Sequence, residues 1–103
     1  MMAEVRVIAR FVARNGKETE LRAVLEGMLA PTRAELGCKL YELYESDSEG
    51  RFYFYETWES PDALDQHVAT PHFKRLEQVG GQLVNEPFEV NILSKIPSGA
   101  VAV

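Results

Sequence analysis

One cysteine in 103 residues leaves no partner for an internal disulfide, and Cys38 has no CxxC neighbour or Cys/His array that would hold structural zinc. At the start of an apolar strand it is expected to pack as a small hydrophobe rather than act as a nucleophile. Positive charge is also scarce. Eleven Lys and Arg stand against 16 Asp and Glu, a net charge of −5, and the basic residues form no stripe, so nucleic acid is not an expected partner. No apolar run reaches membrane-spanning length. The N-terminal MMAEVRVIARF carries charge inside its apolar run and lacks a small-residue cleavage site, so a secretory signal is not expected and the location read is cytoplasmic. There is no glycine-rich phosphate loop, no GxSxG and no HExxH, which leaves flavin, nicotinamide and metal without a motif. What remains is a chain 46% hydrophobic and 26% charged, ordinary for one soluble domain. Residues 4–96 are expected to form its core and 97–103 a C-terminal tail.

Periodicity orders the elements. Val5, Val7, Ala9 and Phe11 alternate with Arg6, Ile8, Arg10 and Val12, a strand with one strongly apolar face. After Asn15-Gly16, Leu21, Val24, Leu25, Met28 and Leu29 recur at helical spacing, predicting a long amphipathic helix that Pro31 kinks or closes and Gly37 stops. CKLYELYE and RFYFYETW, joined by the polar turn SDSEG, predict an antiparallel hairpin. Ser60-Pro61 and Thr70-Pro71 each pair an N-cap with proline at the first helical position, predicting two short helices. Phe73, Leu76, Val79 and Leu83 continue a helical stripe that Gly80-Gly81 weakens, and PFEVNILSKI is a last strand. The order β-α-β, β-α-β predicts an α+β ferredoxin-like sandwich with a four-stranded antiparallel sheet.

The segment Arg51–Phe73 holds the only Trp and both His. Phe52, Phe54, Glu56 and Trp58 share one face of its strand and Tyr53, Tyr55 and Thr57 the other, so both faces are expected to be buried. Helices returning over one side of a sheet leave the other bare, and soluble monomers rarely tolerate an apolar patch of several hundred Å². A homodimer packed sheet to sheet is the expected remedy. His67 lies on the helical face of Leu64 and Val68, pointing toward the sheet, either as a hydrogen-bonded core histidine or as a functional one. His72 falls in the first turn of its helix, where the dipole favours the neutral imidazole, a proton acceptor at physiological pH. Glu56 stands alone among aromatics. It must find a donor or carry a raised pKa, and it reads either as a charge partnered by Arg10, Lys74 or a second subunit, or as a group orienting a histidine.

VIARFVARNGKETELRAVLEGMLAPTRAELGC, LYELYES, RFYFYETWES, ALDQHVATPHFKRL and the closing strand together resemble the antibiotic-biosynthesis monooxygenase (ABM) domain family, in unbroken order from Val5 to Ile96. The resemblance is nearest to the small quinol monooxygenases and to an isomerase of a phosphorylated autoinducer. It implies a dimeric α/β barrel with a pocket between sheet and helices. It also implies oxidation of quinol-like or polyketide-like aromatic substrates by O₂ without metal, flavin or haem. Carried onto this chain, it implies His72 as acid/base, His67 and Glu56 as orienting groups, and Trp58, Phe73, Phe54 and Tyr41 as walls of the substrate site. The haem-degrading branch does not fit, because Ala9, His67 and Glu77 occupy its three diagnostic positions. Two rivals accompany this expectation: a keto-enol isomerase, its substrate phosphorylated if Lys39, Arg51 or Lys74 reach the pocket, and a non-catalytic ligand-binding dimer.

Overall fold

Alternation in three consecutive apolar stretches decides the sheet. The computed structural model describes residues 3–97, so all of the expected tail except Pro97 lies outside the described residues. Elements run β1 (Val5–Val12), α1 (Glu18–Glu26), α2 (Leu29–Arg33), β2 (Cys38–Glu45), β3 (Arg51–Trp58), α3 (Pro61–Val68) and α4 (Pro71–Arg75). A π turn (Leu76–Gly80), α5 (Gly81–Leu83) and β4 (Glu89–Leu93) complete them. The sheet order is β2-β3-β1-β4 and every pairing is antiparallel, the ferredoxin-like α+β arrangement expected from the sequence. Register places Val7, Glu56 and Tyr41 side by side across β1, β3 and β2, with Ala9, Phe54 and Leu43 in the next row. Helices cover this side. Phe11, Phe52, Phe54, Trp58, Leu21 and Leu25 are buried between the layers, and Phe54 packs edge-on against Phe11 and stacks on Tyr41.

Three expectations change. The single long helix is two, because Pro31 has no N–H to donate to the carbonyl of Gly27, and the chain turns at 27–28 before α2 begins. The stripe through Val79 is interrupted by the π turn, whose extra residue rotates the helix so that Leu76 and Leu83 are buried while Val79 is exposed. The second face of β3 is covered by this chain only at Thr57: Tyr53 is half-buried and Tyr55 is 38% exposed.

Gly37 stops the helical segment, as expected, and does more. Its φ of +87° is one that L side chains rarely adopt, and a Cβ there would stand 2.6 Å from Cβ of Ala63 on α3. Its carbonyl accepts from Glu59 N at 2.8 Å, so the loop after α2 is fastened against the approach to α3. Gly37→Ala is expected to cost on the order of 2 kcal/mol from strain and overpacking together, read as a lower urea midpoint.

Candidate active site

Two caps fix the histidines. Ser60 Oγ accepts from Ala63 N at 3.2 Å and Pro61 begins α3, which turns Ala63 and His67 inward. Thr70 Oγ1 donates to the carbonyl of His67 at 2.7 Å and accepts from Phe73 N at 3.2 Å, tying the end of α3 to the start of α4. The two imidazoles therefore hold a set relation, with ring centroids 6.0 Å apart.

Between them stands a residue no motif marked. Glu35, in the loop after α2, accepts from His67 Nδ1 at 2.7 Å and from His72 Nε2 at 2.6 Å, both on the single oxygen Oε2. A carboxylate oxygen only accepts, so each imidazole turns an N–H toward it, and for His67 this leaves Nε2 as the basic atom. The side-chain hydrogen bond of His67 among the described residues is through Nδ1, which leaves Nε2 free of one. His67 is 2% exposed, with Trp58 tilted over its ring at 4.6 Å and Phe73 and Tyr41 edge-on at 5.2 and 5.8 Å. Burial pushes its pKa down more strongly than the hydrogen bond and charge of Glu35 push it up, which holds the ring in its neutral, proton-accepting form.

Glu56 is oriented from its own strand. Trp58 Nε1 donates to Glu56 Oε1 at 2.9 Å, because residues i and i+2 share a face. The partners expected from the sequence are not used: Arg10 points to the opposite side of the sheet toward Glu86 and Glu89, and Lys74 is exposed. At 4% exposure, burial raises the Glu56 carboxyl to about 7; the Trp58 bond opposes this and the charge of Glu35 adds to it. Tyr41 is likewise pushed well up by burial and then by Glu56, so its phenol stays protonated. Cys38 is half-buried, and burial with Glu35 and Glu56 raises its thiol, in keeping with packing rather than nucleophilic chemistry.

A small cavity of about 70 Å³ lies between sheet and helices, lined by Val7, Ala9, Phe54, Glu56, His67 and Phe73, among others. Tyr41 also lines it. Two residues are not where the sequence suggested. Trp58 stands behind His67 and Glu56 instead of forming the wall, and His72 lies outside the cavity, in a separate groove of about 700 Å³ between α1–α2 and α4. Among the described residues, Glu35, His67 and His72 are the one set whose ligand atoms lie within 4.8 Å of one another and could hold a metal ion. Ligands on a tetrahedral ion with bonds of about 2.0–2.1 Å stand roughly 3.4 Å apart. The N–O spacings here are those of short hydrogen bonds.

Over residues 4–79 the sequence matches the family described as antibiotic biosynthesis monooxygenase. The chain belongs to this family. The Mycobacterium tuberculosis protein named "Putative monooxygenase Rv0793" is 41% identical over 96 residues, 93% of this chain and 95% of that protein. The Rv0793 structure matches with a TM-score of 0.88 at 39% identity, covering 95% of this chain and 100% of the other. PA3566 from Pseudomonas aeruginosa matches with a TM-score of 0.85 at 30% identity, covering 93% and 97%. The stretch matched to the antibiotic biosynthesis monooxygenase family contains Glu35, Glu56, His67 and His72, whereas β4, which adds Val90 to the cavity wall, lies beyond it.

Proposed function

We propose that this protein is a cytoplasmic, cofactor-independent monooxygenase that oxidises a small quinol-like or polyketide-like aromatic compound with O₂. The observation that carries the reading is a buried imidazole and a buried carboxyl on one apolar cavity, each held in orientation by a neighbour outside it. His67 Nε2 takes the acidic proton, replacing His72 as the proposed base, while Glu35 holds the ring and offsets the charge of the imidazolium. Glu56, protonated, donates to the substrate oxygen on which negative charge collects. Phe54, Phe73 and Tyr41 provide the walls. The resulting anion is a strong enough reductant to pass an electron to O₂; combination gives a peroxide, and its cleavage with the returned proton leaves a carbonyl and water. A methylene plus O₂ thus becomes a carbonyl plus water, in balance.

At about 70 Å³, the share of roughly two waters, the cavity accepts the reacting edge of a ring, with the remainder lying past Val68 and Val90. None of its lining residues is Lys or Arg. That composition disfavours a phosphorylated substrate. The facing acid and base also suit keto-enol transfer within a neutral substrate, which is the second reading. Reduced naphthoquinones, catechols and anthrone-like phenols, screened with O₂ uptake and product followed together, separate the two. Oxygen-dependent product formation is expected; turnover unchanged under strict anaerobiosis would establish the isomerase instead, and binding without turnover a ligand carrier.

The same proposal includes a homodimer. Ile8, Leu40 and Tyr53 are half-buried and Tyr44 and Tyr55 exposed on the sheet face without helices, an apolar surface suited to a second sheet. Sedimentation at micromolar concentration should give twice 11.6 kDa; a stable monomer would refute it.

A further inference from the structure

The carboxylate of Glu35 is mostly buried, and among the described residues neither lysine nor arginine pairs with it; its partners are the two imidazoles. Two histidines and one carboxylate are a donor set for a divalent first-row transition ion with coordination positions to spare. His72 lines the outer groove, which gives an ion and its waters a way in that does not pass through the inner cavity. We propose that Glu35, His67 and His72 form a site for a divalent transition ion, Zn²⁺ above all, whose occupation switches the catalytic base off.

Geometry supports occupation at small cost. His67 Nδ1, His72 Nε2 and a Glu35 oxygen already converge within 4.8 Å; for a tetrahedral ion the two N–O distances open from 2.6–2.7 Å to roughly 3.4 Å and the N–N distance settles at the same value. Rotation of the Glu35 carboxylate, which follows α2 in a loop, opens the N–O distances, and a small shift of His72 on its short helix sets the N–N distance. The consequence for His67 is chemical. A metal on Nδ1 takes the lone pair that the N–H occupied, so the neutral ring must carry its proton on Nε2. Water moves that proton from one nitrogen to the other, no net proton is released, and the atom that faces substrate changes from acceptor to donor. His72 undergoes the opposite exchange, from Nε2 to Nδ1.

The inhibitory consequence rests on His67 being the base, whereas the binding itself does not. Chelator-stripped protein is therefore titrated calorimetrically with Zn²⁺, and separately with Co²⁺ to read its visible absorption. One ion per chain at micromolar affinity or better is expected, with a tetrahedral cobalt spectrum. Glu35→Gln and His72→Ala should each weaken binding by at least about 100-fold, since loss of an outer partner alone costs 10–100-fold. Heat denaturation of the variants without metal confirms that they are folded, and a zinc-dependent rise in midpoint for wild type but not for folded variants gives a second reading of the site. In the turnover assay, stoichiometric Zn²⁺ should abolish activity and a chelator restore it. No binding at millimolar Zn²⁺, or binding retained in both variants, would overturn the site. Fe²⁺ or Zn²⁺ that raises turnover would overturn the inhibitory role. Failure of every substrate in the screen leaves the calorimetric and cobalt results as the deciding ones.

Discussion

His67→Asn is expected to lower turnover by about 10²- to 10⁴-fold, the contribution typical of a positioned general base. Asparagine places an N–H near the position of Nδ1, where Glu35 accepts, and has nothing in place of Nε2. The substitution therefore separates the base from the orientation it receives. Its stability cost comes from the lost ring contacts with Trp58, Phe73 and Tyr41, and is read independently by denaturant unfolding. The informative quantity is kcat in the folded variant at saturating substrate. Turnover at the wild-type rate would remove His67 from the chemistry and leave it as a core histidine held by Glu35.

Glu56→Gln is expected to raise stability above neutral pH while changing the pH profile of activity. Burial lifts the Glu56 carboxyl from an ordinary 4.5 to about 7 in the folded chain. The folded state thus binds a proton that the unfolded state has released across the window from about 4.5 to 7. By linkage, its contribution is fully present below 4.5 and is lost as pH rises through 7. At 1.36 kcal/mol per unit the loss amounts to about 3 kcal/mol by pH 8. Glutamine is neutral throughout and keeps an oxygen to accept from Trp58 Nε1, so the variant should match wild type near pH 4 and exceed it by about 3 kcal/mol at pH 8. Urea unfolding at the two pH values checks this. Activity tests the same proton. Glu56 shares the cavity with Tyr41 and His67, with Glu35 beyond them, and the proposed mechanism has it donate to substrate only while protonated. Wild-type turnover should fall above about pH 7, and Glu56→Gln should lose that alkaline limb at a lower plateau. An alkaline limb retained in the variant would assign it to another group.

Sequence by itself determined the layers and their order. Period-two alternation in β1 and the helical spacing around Leu21 and Leu25 are local properties, and each names the face that must be buried; β3, aromatic on both sides, singled out neither of its faces. The capped prolines at 60–61 and 70–71 are equally local, and they placed both histidines on their helices where the structure has them. The isolation of Glu56 among aromatics was also legible as a raised or partnered carboxyl. Its partner, Trp58, was two residues away, but strand alternation says only that they share a face, not that the indole N–H turns back toward the carboxylate. Where Pro31 lies was plain; that it splits one helix into two depended on the single N–H that Pro31 cannot donate to the carbonyl of Gly27.

Only the tertiary structure decided which histidine meets the cavity and what holds it there. Glu35 is 32 residues from His67 and 37 from His72, in a loop with no motif, and its approach depends on α2, Gly37 and α3 packing together. A contact at such separation leaves no periodic trace, because neither partner's neighbours reveal the direction of the other. The helical spacing of His67 turned it toward the sheet, while the cap before His72 fixed only its place in the first turn of α4. The five-residue step between them, fixed by the Thr70 bridge, turns one into the cavity and the other into the outer groove.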